Sequence, residues 1–103
     1  MTFKSSPLNN TSIELEIEAI KRFRTLVLVL SPQCRIFREL NSLDTVLCLD
    51  FVDCPQDLKR KKEEWEEVII LLAISCDYLG IAKRVLFKNG ERIVGRMTLD
   101  QIA

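Results

Sequence analysis

The chain has no histidine. Its absence removes the commonest general base, the commonest metal ligand and the one side chain that switches charge unperturbed near neutral pH. Ser-His and Cys-His nucleophile pairs and most zinc sites go with it, so an enzyme is not expected. Closely paired cysteines are missing too. The four present, Cys34, Cys48, Cys54 and Cys76, are separated by 14, 6 and 22 positions, with no C-x-x-C. Zinc ligation by thiolates favours close pairs, so neither a metal nor another cofactor is expected. Net charge is missing as well, since 15 basic residues offset 15 acidic ones. A chain that holds nucleic acid by bulk charge needs a basic excess, and a neutral one has little colloidal protection near pH 7. No apolar run is long enough to span a bilayer; the most apolar, Val68 to Ile74, is far too short. The opening MTFKSSPLNNTS lacks the apolar core of a signal peptide. A cytoplasmic, reducing setting with buried free thiols follows, without nucleic acid or membrane as partner.

What remains is an ordinary globular balance. The chain has 103 residues, 48% of them hydrophobic and 29% charged, enough for one modest core. There is no internal repeat and no low-complexity linker. Residues 1–10 read as a flexible tail and 11–103 as a single domain. Thr11 to Phe23 fits two patterns. Ile13, Leu15, Ile17 and Ala19 alternate with polar residues as in a strand, while Ile13, Ile17, Ile20 and Arg24 share a helical face, and the glutamates tilt the reading to helix. TLVLVL at 25–30 reads as a buried strand, closed by Ser31-Pro32. Residues 34–40 read as a short helix, Asn41 to Asp44 as a turn, and 45–52 as a second strand, one-sidedly exposed at Asp50. One long helix is expected at 57–79. Trp65, Ile69, Leu72, Cys76 and Leu79 form its core stripe, Gly80 stops it, and apolar residues all round Val68 to Ile74 imply deep burial. Asn89-Gly90 predicts a hairpin between strands at 85–87 and 92–94.

Candidate sites are few. Lys59-Arg60-Lys61-Lys62 is a basic run that can dock an acidic partner, and Lys83, Arg84, Lys88, Arg92 and Arg96 follow. The simpler reading is a solvated helix end whose field Glu63, Glu64, Glu66 and Glu67 cancel. Cys34, in Ser31-Pro32-Gln33-Cys34, stands where a helix N-terminus would lower a thiol pKa, but no second cysteine lies two residues away for a dithiol cycle. Asp44, Asp50, Asp53 and Asp57 cluster around one strand without the spacing of a cation loop, and read as solubilising turns.

Two family resemblances attach to these residues. Trp65-Glu66-Glu67-Val68, Leu79-Gly80-Ile81, Lys83-Arg84-Val85-Leu86-Phe87, Asn89-Gly90-Glu91-Arg92-Ile93 and Thr98-Leu99-Asp100-Gln101-Ile102 together resemble the C-terminal half of a doublecortin-like domain, a ubiquitin-like β-grasp. The resemblance covers residues 63–102. It implies an α+β fold of about four strands on the helix at 57–79, with 25–30 and 45–52 as the opening hairpin and without the family's last strand. It also implies a non-enzymatic module that binds microtubules, through tubulin, or a scaffold protein. The implied contacts are Lys59, Arg60, Lys61, Lys62, Lys83 and Arg84. The alternative is a thioredoxin-like α/β fold. Val85-Leu86-Phe87-Lys88-Asn89-Gly90-Glu91, with Gly95 beyond, is similar to that family's closing hairpin, and Ser31-Pro32-Gln33-Cys34 resembles a degenerate form of its active-site turn. It implies a redox or redox-derived protein using Cys34. Ser31 stands at the first active-site cysteine, and no proline precedes Val85.

Overall fold

The structure is a computed structural model that describes residues 7–40 and 44–99, with side chains from Ile13 onward. Helix α1 (Pro7–Leu26) leads into β1 (Arg35–Leu40) and β2 (Thr45–Asp50). A 3-10 turn (Pro55–Lys59), helix α2 (Lys62–Leu79), β3 (Arg84–Asn89) and β4 (Arg92–Thr98) complete the order. The fold is α+β. Its four strands form one mixed sheet in the order β1-β2-β3-β4, antiparallel within each hairpin and parallel between β2 and β3. Among the described residues no helix is long and apolar enough to cross a membrane.

Both helices pack on the sheet face that carries Leu47, Leu49, Val85 and Phe87. Phe23 and Val27 come from α1 and the segment after it; Val68, Leu72 and Cys76 come from α2. Phe51, Trp65 and Phe87 close one end of this core. Trp65 meets Phe51 and Phe87 edge-on at 6.2 and 5.8 Å, and the two phenylalanines stack at 6.5 Å. No described helix covers the opposite face. There Cys48 and Val46 are shielded by long neighbours, among them Lys88, whose ammonium lies 5.7 Å from the Phe37 ring.

The segment 25–30, expected as a strand, is instead the end of α1 and a turn. Its buried positions continue from Phe23 to Val27 and Leu30, a helical spacing, whereas Leu28 is 81% exposed. The Val27 N–H donates to the Phe23 carbonyl at 3.0 Å, extending the helical bonding past Leu26. A strand would have buried alternate residues. Residues 34–40, expected as a helix, supply the missing strand: Arg35 to Leu40 pair with Asp50 to Thr45 without a break. Ladder pairing with a well-buried neighbour outweighs local helix propensity here. Helix α1 begins at Pro7, inside the stretch read as a tail; residues 1–6, Asn41 to Leu43 and Asp100 to Ile102 lie outside the described residues.

The helix expected at 57–79 is broken at Arg60 and Lys61, both extended. Glu64 accepts the Lys61 backbone N–H at 2.8 Å and starts α2 there. Gly80, at φ 63 and ψ 32, ends it in the left-handed conformation expected of a stop. Burial of α2 is one-sided rather than deep all round, because Ile70, Ile74 and Tyr78 stand on an exposed ridge. Asp50, expected on an exposed side, is only 7% exposed; its carboxylate accepts the Val52 and Gly90 N–H groups at 3.0 and 2.9 Å. It thereby ties the second hairpin turn to the end of β2. That turn is centred on Gly90-Glu91, one residue beyond the expected pair, with Gly90 at φ 67.

Arg38 joins three elements. It forms a two-pronged ion pair with Glu16 of α1, one prong at 2.8 Å, and donates to the Ile81 carbonyl at 2.9 Å. The guanidinium hydrogen bonds hold the Glu16 carboxyl below its ordinary value of 4.5 despite some burial. A depressed carboxyl contributes stability that is complete above the unfolded pKa and lost as pH falls through the folded one. Glu16→Gln should therefore flatten the acid limb of the stability–pH curve below about pH 4.5, measured by urea unfolding. Phe51→Ala should cost about 4 kcal/mol in the same assay, with an unchanged denaturant slope.

Candidate interaction site

The structure divides the six cations assigned to partner binding. Lys59, Lys61 and Lys62 are exposed at the N-terminal end of α2, whereas Lys83 and Arg84 lie beyond its C-terminal end. An 18-residue helix separates the two groups by about 26 Å. They do not make one patch. Two of the six are also engaged within the fold. Arg84 binds Asp44 through both guanidinium arms, at 3.1 and 2.8 Å. Arg60 donates to the carbonyls of Asp57 and Val29 and lies 5.4 Å from the centre of the Trp65 ring. It stacks on the aromatic cluster and ties the α1–β1 connection to the 3-10 turn.

The same end of α2 faces β4, because α2 runs antiparallel to β3 and β4 turns back beside it. Between them is an open groove of about 440 Å³. Leu58, Trp65 and Ile69 form one wall, Val94 and Gly95 the other, with Phe87 in the floor. Arg92 and Arg96 stand on the β4 side. One residue of β4 is extra in this region: Phe87 pairs with Gly95 but Lys88 pairs with Ile93, which leaves Val94 as a bulge. Such a bulge re-aims a side chain and twists an edge strand.

Charge is sorted around this groove more cleanly than the sequence suggests. Glu63 and Glu67 share the helical ridge of Ile70 and Ile74, turned away from the side of Trp65 and Ile69. Glu64 is occupied with the Lys61 amide. Glu66 stays one turn from Lys62. The basic run at 59–62 thus lies at the groove end of α2, apart from Lys83 and Arg84, while Arg92 and Arg96 stand on the β4 side of the groove. The sequence shows those two arginines, but their place beside Trp65 and Ile69 depends on β4 folding back, which a linear reading does not reveal.

Cys34 does not sit at a helix N-terminus. It is fully buried just before β1, its N–H donating to the Ser31 carbonyl at 3.0 Å. The fold supplies a neighbour that the linear spacing hides, since the Cys54 thiol lies against it. Burial first, and the neighbouring Cys54 second, push the Cys34 thiol up to about 12. Burial also raises Cys54, takes Cys76 to about 12 and Cys48 to about 11. All four are free thiols. Among the described residues no group of three or more acidic or cysteine side chains is placed to hold a metal ion. The four aspartates have structural partners instead: Asp44 pairs with Arg84, Asp50 accepts the Val52 and Gly90 N–H groups, Asp53 pairs with Arg35 at 2.8 Å, and Asp57 accepts the Ser31 N–H at 3.2 Å.

A thiol with so high a pKa carries almost no thiolate at pH 8. Cys34, Cys48 and Cys76 should therefore resist iodoacetamide in the folded protein and react fully in 6 M guanidinium, read by mass spectrometry; rapid labelling of folded Cys34 would contradict the packing described. Compared with known proteins, the chain matches no family model, no curated protein and no solved structure.

Proposed function

We propose that this chain is a non-enzymatic interaction module that binds a protein partner in the groove between the start of α2 and β4. One observation carries the reading. An open apolar groove, lined by the Trp65 and Phe87 rings, carries Arg92 and Arg96 on its β4 side, and the exposed Lys59, Lys61 and Lys62 belong to the same end of α2. Apolar surface supplies affinity and the basic rim selects acidic partners and speeds their approach.

The doublecortin-like reading makes that partner tubulin or a scaffold protein. Its support is the order hairpin, helix, hairpin from β1 to β4, with Leu79-Gly80 closing the helix. The opening hairpin uses 35–40 in place of 25–30, and α1 is an added element. Of the residues that resemblance implies, Lys59, Lys61 and Lys62 are placed to serve together, while Arg84 is held by Asp44. The thioredoxin-like alternative draws on a single feature, the Cys54 thiol beside Cys34, and the raised pKa of both thiols weighs against it.

Co-sedimentation with polymerised tubulin at low and moderate salt tests the first reading. The expected result is salt-sensitive binding that Lys59→Glu, Lys61→Glu and Lys62→Glu together weaken at least about tenfold. Lys83→Glu, at the far end of α2, should leave it unchanged. Equal losses from both variants would point to bulk charge rather than to this groove, and no binding at low salt would remove tubulin as the partner.

A further inference from the structure

We propose that the partner enters as an extended acidic peptide segment that adds a fifth strand to the free edge of β4 and sets its apolar side chains into the neighbouring groove. The inference rests on the groove being the binding site and goes on to name the form and chemistry of what fills it.

Three observations on the page converge. First, among the described residues β4 pairs only with β3 and is an edge of the sheet. The Leu99 N–H bonds inward to the Lys83 carbonyl at 2.9 Å, next to the Arg84–Thr98 pair. Antiparallel alternation therefore turns the backbone groups of Thr98 and Arg96 outward, away from β3. These donors and acceptors form a template for another chain. The sequence of β4, RIVGRMT, has no proline to block it.

Second, the groove adjoins this edge on the helix side. A strand laid on β4 projects every second side chain to that side. Those side chains meet Trp65, Leu58 and Ile69, with Gly95 leaving the near wall low. Main-chain pairing supplies affinity and pockets for alternate side chains supply selection, the usual division of labour in strand addition.

Third, the edge is basic. Arg92 and Arg96 are exposed, and among the described residues neither takes part in an ion pair. Arg96 pairs with Leu86 and so projects to the face away from Phe87, where carboxylates at the intervening positions of an incoming strand meet it, while Arg92, paired with Asn89, stands at the groove end. The same charges act against a second copy of this chain. Antiparallel self-pairing centred on Val94 sets Arg92 opposite Arg96 of the copy, and pairing centred on Arg96 sets arginine on arginine; like charges directly opposite are destabilising.

The test uses the full chain and a displayed library of random 12-residue peptides as the probe. The proposal expects enriched peptides that alternate apolar and acidic residues. In nitrogen–proton spectra these peptides should shift the Trp65 indole and the β4 amides together, and slow hydrogen exchange at Arg96 and Thr98. Binding should fall at least about tenfold in the double variant Arg92→Glu, Arg96→Glu. Arg96→Pro should bind about tenfold more weakly than Arg96→Gln, because only the proline removes the outward N–H. The exchange measurement on the parent protein decides the matter if the proline variant unfolds. Peptides that shift Trp65 but leave the Arg96 and Thr98 exchange rates untouched overturn strand addition while keeping the groove as the site. An absence of enriched peptides, or enrichment of basic or helical ones, overturns the proposal. Concentration-dependent dimers that protect β4 overturn it in favour of a second copy.

Discussion

β2 and β3 lie side by side and run in the same direction. A parallel pair cannot be joined by a tight turn, so the chain must leave the sheet, cross one face and return. The 3-10 turn and α2 make that crossing. Once α2 lies over Leu47, Leu49, Val85 and Phe87, the remaining geometry is strongly constrained. Each central strand has one side left, and each takes its sequence neighbour there as a hairpin partner. α1 covers the core on the β1 side, held by Arg38 and Glu16, and no described helix covers the corresponding strip beside β4. The groove is the gap that one helix leaves when it sits off-centre on a four-stranded sheet.

The aromatic cluster serves both core and surface. Phe51 directly follows β2, Trp65 lies in the first turn of α2 and Phe87 belongs to β3, so their rings pin the start of the crossover to its landing strand. Trp65 and Phe87 also line the groove. Core and groove therefore draw on the same side chains. Arg60, stacked on Trp65 and bonded to Val29, extends the coupling to the connection between α1 and β1. A cation near a candidate interface is here a brace of the interior, which a count of positive residues does not distinguish.

Much of the C-terminal half was legible in the sequence. The stripe from Trp65 to Leu79, the stop at Gly80 and the turn at Gly90 each depend on local periodicity or on a backbone conformation that glycine adopts readily. The N-terminal half was not, for a physical reason. TLVLVL is continuously apolar, so its composition is compatible with either element; only the spacing from Phe23 through Val27 to Leu30 separates them, and that spacing crosses the expected boundary. RIFREL gave the opposite error. Ile36, Phe37 and Leu40 fit a helical face, yet Leu40 is 84% exposed, and the segment is extended because β2 offers it a ladder. Pairing between distant strands has no local signature. The groove was hidden for the same reason, since its walls are about 30 residues apart in sequence. The basic run at 59–62 was visible, but its distance from Lys83 and Arg84 across the length of α2 was not.

Gly95 carries a consequence of a different kind. Its backbone is not in the left-handed region, so a Cβ could stand there without backbone strain, resting against Phe87 at 3.5 to 3.8 Å, an ordinary contact. Nothing in the folding of the chain demands glycine at this point. The absent side chain instead sets the calibre of the cleft. Alanine, valine or leucine at position 95 would raise the wall in steps of roughly a methyl group. A single codon thus graduates the bore of the cleft, while the scaffold beneath stays as it is.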